Sequence, residues 1–220
     1  LYKIPEAPKN ILTPDLQNQF NTGIDFIASG DKIAVWNLEM NFDDSIHFQA
    51  QNGLSFTIPS VRPKINPDSS QSFISSISLG KVTINISNGN CANIENSNSS
   101  IARQCTVNIG NIIYSGCGKF LYDSQLDGKW ELQKYKANLI SAADFKNGIP
   151  YLKFDIINNA LNGFDGCNNL SGEAEIQGKR IKFSSLASTK KLCKDIILQN
   201  PFSVLNNELV GYKILDKLLY

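Results

Sequence analysis

LNGFDGCNNLSGEAEIQGKRIKFSSLASTKKLC, residues 161–193, is the stretch whose reading decides the fold. Leu170, Ala174 and Ile176 alternate with Ser171, Glu173, Glu175 and Gln177, the period-two pattern of a half-buried strand. Gly178-Lys179 reverses the chain, after which Ile181 and Phe183 point inward again. Upstream, Gly166-Cys167-Asn168-Asn169 forms a tight turn, because Gly and Asn accept positive φ at low cost. The result is a meander of short antiparallel strands, so the fold class is mainly β.

Outward from this stretch the same pattern recurs. Leu152, Phe154 and Ile156 face inward before a turn at Asn158-Asn159, and Trp130 and Leu132 open the set. Residues 190–207 carry Leu192, Ile196, Ile197, Phe202 and Leu205 at helical spacing, which predicts the only good helix, broken at Asn200-Pro201. Residues 209–215 and 217–220 are expected to close as a hairpin at Asp216-Lys217.

The first half is a second β set. Trp36, Leu38, Met40 and Phe42 share one face, then Ile46, Phe48 and Ala50. Asn52-Gly53 separates these from Leu54, Phe56 and Ile58, a strong hairpin signal. Residues 60–78 read as a long loop. Strands resume with Val82, Ile84 and Ile86, and with Cys105, Val107 and Ile109. Residues 1–21 contain Pro5, Pro8 and Pro14 and read as an extended leader. The expected domains are therefore 22–123 and 124–220, joined by a connection too short to let them float.

Composition narrows the function. Charge is nearly balanced, with 21 basic and 20 acidic residues, which argues against nucleic acid as a partner. There is one histidine, His47, on the polar face of a strand, and no close cysteine pair, which argues against zinc. No cofactor is implied. Ser171, Ser184, Ser185 and Ser188 lack a nucleophile-elbow setting, and Glu173 and Glu175 read as surface charge. Asp43, Asp44 and Asp68 fall in loops, and Lys190, Lys191 and Lys194 form a basic cluster read as a solvated face. Five cysteines then point to disulfides in an oxidising compartment, with one thiol left over. Cys91 and Cys117 sit at strand ends and suit a bridge. Cys105 lies among aliphatics and is the candidate for the free buried thiol. Pairing is not fixed by sequence.

The second half resembles the META domain, the family of the bacterial heat-shock lipoprotein HslJ. The resemblance rests on Leu126-Asp127-Gly128-Lys129-Trp130-Glu131-Leu132, Gly148-Ile149-Pro150, Gly166-Cys167-Asn168-Asn169, Ser171-Gly172, and Leu186-Ala187-Ser188-Thr189 through Cys193. The first half is similar to a β-rich module of envelope lipoproteins, through Ala28-Ser29-Gly30, Trp36-Asn37-Leu38, Cys91 and Tyr114-Ser115-Gly116-Cys117-Gly118. The resemblance implies a partly open β-barrel with one helix, no catalytic residues, and a place on the periplasmic side of a bacterial envelope. It also implies links to stress or antibiotic tolerance and an outer-membrane lipid anchor in the precursor. Two functions are expected from it: a non-enzymatic accessory protein contacting an envelope partner, or a carrier of a lipid or other apolar ligand.

Cys167 and Cys193 are the second disulfide candidates. A bridge between them would tie the Gly-Cys-Asn turn to the start of the expected helix. It would contribute about 3.5 kcal/mol on the chain-entropy model. Peptide mapping without reductant is expected to recover Cys167 linked to Cys193 from protein exported to an oxidising compartment; two free thiols there would refute the pairing.

Overall fold

Alternation of apolar and polar side chains becomes antiparallel strand throughout the structure. This is a computed structural model describing residues 1–4, 12–30, 35–89, 91, 102–136, 138–141, 143, 145, 147–192 and 201–220. In chain order the first elements are β1 (Tyr2–Lys3), α1 (Pro14–Asn21), β2 (Phe26–Gly30), β3 (Trp36–Met40), β4 (Ser45–Ala50) and β5 (Ser55–Pro59). Then come β6 (Lys64–Ile65), β7 (Gln71–Ile77), β8 (Gly80–Ser87), β9 (Ala102–Ile109) and β10 (Ile112–Phe120). The second half holds β11 (Gly128–Glu131), β12 (Lys134–Tyr135), β13 (Asn138–Leu139), β14 (Tyr151–Asp155) and β15 (Ala160–Phe164). It ends with β16 (Asn169–Gln177), β17 (Arg180–Ser188), β18 (Leu209–Gly211), β19 (Ile214–Leu215) and β20 (Leu218–Leu219). The protein is mainly β, with two antiparallel sheets, each a curled half-barrel. Two compact units result: Pro14–Leu121, and Leu1–Thr13 with Tyr122–Tyr220.

In the N-terminal unit nine strands run in the order β5-β4-β3-β2-β10-β9-β8-β7-β6. The inward faces bury Trp36, Leu38, Met40, Ile46 and Phe48 almost completely, as the alternation requires. Phe48 meets Phe56 and Tyr114 with ring centroids 5.1 and 5.0 Å apart. The hairpin at Asn52-Gly53 forms, with Gly53 at φ +87° and Asn52 Oδ1 accepting from the Leu54 N–H at 3.1 Å. Gly116 and Gly118 lie on the inner face of β10. A Cβ on Gly116 would stand 2.0 Å from the Ser29 carbonyl oxygen, so only glycine lets β2 and Trp36 approach this strand.

The C-terminal unit carries nine strands in the order β18-β17-β16-β15-β14-β11-β1-β20-β19. From β14 to β17 it is the expected meander, with Asn159 at φ 50° in its first turn and Gly178 at φ 67° in its last. Asp216 and Lys217 both take positive φ, 47° and 63°, as a two-residue hairpin turn between β19 and β20 demands. A separate small ribbon pairs β12 with β13.

Several expectations need correction. Within the expected extended leader over residues 1–21, the described residues include a strand and a helix. Tyr2 and Lys3 are a strand inside the C-terminal sheet, between β11 and β20. A two-residue strand has no periodicity to detect. Residues 14–21 are helix α1, where Pro14 takes the first helical position and Asp15 the first turn; this proline starts a helix rather than excluding one. The helix ends at Gly23, φ +103°, whose N–H reaches the Phe20 carbonyl at 2.9 Å. The boundaries at 22–123 and 124–220 therefore shift, and the C-terminal unit is discontinuous in sequence. The loop expected over 60–78 contains β6 and β7, where only Gln71 and Phe73 are buried and the serines hide the pattern. Of the helix expected over 190–207, residues 193–200 lie outside the described residues. The described remainder includes a 3-10 turn at Ser203–Leu205. Leu209–Gly211 leaves the expected final hairpin and pairs with β17.

Lys3 N–H donates to the Lys217 carbonyl at 3.1 Å, and its Nζ donates to the carbonyls of Gln125 and Asp127. Lys3→Pro removes all of these donors. We expect a loss of about 1–3 kcal/mol in the C-terminal unit. Hydrogen-exchange mass spectrometry should show faster exchange in β11, β19 and β20 with β2–β10 unchanged.

Candidate functional site

The concave side of the C-terminal sheet holds an apolar trough of about 670 Å³. Strand periodicity builds it. Leu152 and Phe154 are two apart on β14, and Ile181 and Phe183 are two apart on β17, so each pair faces the same way. All four are nearly excluded from solvent and line the trough. Phe154 and Phe183 meet at a centroid separation of 6.4 Å. Phe202 and Leu205 contribute from the 3-10 turn, Val210 from β18, and Leu218 and Leu219 from β20. A smaller cavity of about 210 Å³ shares Leu152, Phe202 and Leu205 and reaches Leu161, Leu170 and Leu186.

The rim differs from the floor. Leu139 on β13 lines the trough yet is 82% exposed, and Tyr220 is 68% exposed. Lys134 on β12 and Lys136 in the turn after it are exposed and also line the trough. Lys136 adopts φ 55°, and its Nζ stands 5.5 Å from the Tyr135 ring centroid. Trough-lining side chains thus grade from dry aromatic and aliphatic groups to wet, basic ones.

The residues singled out from sequence do not gather here. Cys91 and Cys117 are bridged in the N-terminal unit, with Cα atoms 5.8 Å apart. Cys105 on β9 is buried and free, and burial pushes its thiol up to about 12. Cys167 is buried and disulfide-bonded; Cys193 lies outside the described residues. The turn that holds Cys167 is a hydrogen-bonded lock. The buried Asp165 carboxylate accepts from the N–H groups of Cys167 at 2.8 Å and Asn168 at 2.6 Å. Asn168 Oδ1 in turn accepts from Thr189 Oγ1 at 3.1 Å and the Lys191 N–H at 2.7 Å.

His47 sits on an exposed face with Nδ1 3.0 Å from Thr57 Oγ1. Ser184 donates to Glu173 at 2.8 Å, with Glu175 opposite Lys182 in the register. Asp68 accepts from Ser70 and Asp44 accepts from Ser45. Lys190 and Lys191 are exposed, and Lys194 lies outside the described residues. Among the described residues no cluster of three or more His, Cys, Asp or Glu side chains could hold a metal ion.

The trough was not read from sequence, because its walls come from distant segments. One signal was present: Leu139 is a large apolar side chain outside every alternating run. Residues 124–205, in the C-terminal half, match the META domain model. META domains occur in bacterial stress-related proteins. The match contains the trough residues Leu132 to Leu205 but not β18, β19, β20 or β1. No curated protein and no solved structure matches the chain.

Burial of Cys105 has a direct consequence. At neutral pH the folded protein should leave the Cys105 peptide unalkylated, because both access and thiolate are lacking. In guanidinium chloride the same peptide should react fully. Native labelling faster than global unfolding would contradict the burial.

Proposed function

We propose that this chain is a non-enzymatic binding module whose C-terminal half-barrel holds an apolar ligand. One observation carries the reading, the trough of about 670 Å³ floored by Leu152, Phe154, Ile181 and Phe183. That volume lies within the ~300–1,000 Å³ typical of small-molecule sites. A barrel packed solid would have favoured protein contact alone.

The proposal includes an extracytoplasmic setting, on the periplasmic side of a bacterial envelope. The Cys91–Cys117 disulfide is compatible with this, since such bridges persist in oxidising compartments. An accessory role toward an envelope protein has its own support. Val204, Leu209 and Leu215 are large apolar side chains of the same unit at 69%, 45% and 47% exposure.

Titration with the neutral fluorophore N-phenylnaphthylamine tests the carrier reading. One-to-one binding with enhanced emission is expected. Val210→Trp, which fills the trough from the edge strand β18, should weaken it at least about tenfold, the effect of losing a well-packed apolar contact. A folded protein that binds no probe would refute the carrier reading. Native mass spectrometry after mild extraction would then show whether an envelope protein accompanies the chain instead.

A further inference from the structure

Among the described residues, the side chains that line the trough are charged in one sense only: Lys134 and Lys136 line it, and no described Asp or Glu does. The chain as a whole is almost balanced, so this one-sided lining is not a reflection of overall composition. Both lysines also sit together, on β12 and in the turn between β12 and β13. The floor of the trough, by contrast, is aromatic and aliphatic, and dry.

We propose that the ligand is an amphiphile with one acyl chain and an anionic head group, a fatty-acid-like molecule seated tail inward. This rests on the ligand-binding reading above and adds the chemistry of the ligand's polar end. The tail displaces water from the floor formed by Phe154, Phe183 and their neighbours, the area-proportional part of binding. The head cannot follow it, because an ionised group in an apolar site without partners is strongly disfavoured. It stays at the rim, where Lys134 and Lys136 are exposed and each ammonium offers donors to a carboxylate or similar anion. The long lysine stems let both ammonium groups turn toward one head group while remaining hydrated.

Three ligands of equal chain length separate the parts: dodecanoate, dodecanol and dodecyltrimethylammonium, each titrated against the full chain by calorimetry and by displacement of N-phenylnaphthylamine. Dodecanoate should bind roughly tenfold tighter than dodecanol, the scale of two partly exposed charge-assisted contacts, and the cation should bind weakest. The double variant Lys134→Gln, Lys136→Gln alters exposed side chains only. It should abolish the preference for dodecanoate while leaving dodecanol unchanged, and added salt should erode the preference in the parent protein. Equal binding of dodecanoate and dodecanol, or a double variant that keeps the preference, would overturn the anionic head group and leave the apolar carrier standing. Failure of all three ligands and of the fluorophore would overturn both.

Discussion

The C-terminal sheet depends on a strand of two residues. Backbone donors and acceptors in a sheet interior must be paired, and β1 is the strand that joins β11, paired on its other edge with β14, to β20, paired on its other edge with β19. Tyr2 pairs with Glu131 on one side and Leu218 on the other. The Ile4 N–H reaches Lys129, and the Leu219 N–H reaches Leu1, at 2.9 and 2.7 Å. Through these bonds the hairpin of β19 and β20 becomes part of the sheet and supplies Leu218 and Leu219 to the trough. The N-terminal unit is consequently an insertion between β1 and β11, two strands that are hydrogen-bonded neighbours.

Residues of the matched META segment give the floor, where Leu152, Phe154 and Phe183 lie on strands with short, local connections. The remaining wall comes from β18 and β20, which lie beyond the match. The rim is set by β12 and β13, a ribbon separate from the main sheet, and this freedom from the sheet's alternation lets it carry Leu139 and two lysines to the same mouth. Among the described residues this half-barrel leaves the trough open.

Much of the fold was legible in the residues. Where a strand is long and half buried, alternation names it, as in β3, β4, β8, β9, β16 and β17. Turns were legible where positive φ selects Asn or Gly, at Gly53, Asn159 and Gly178. The pattern failed where burial does not alternate. Serines at Ser72, Ser75 and Ser76 concealed β7, and Pro14 groups with Pro5 and Pro8 in the expected extended leader although it occupies the first turn of α1. The Gly-Cys-Asn turn belongs to the legible part too. Asp165, Asn168 and Thr189 spend their hydrogen-bonding groups on backbone and on one another.

The sequence alone determined the fold class and the local hairpins, because each rests on neighbours within a few residues, and the META resemblance, which rests on short motifs between Leu126 and Cys193. It also marked Cys105 as a face-mate of aliphatics. Only the tertiary structure decided that residues 1–3 belong to the C-terminal sheet, that Cys91 meets Cys117, and that a trough exists at all. The physical reason is range. Periodicity reports which way a side chain points relative to its own strand. Which distant strand it then faces, and whether the space between them is filled, depends on pairings made across the whole chain.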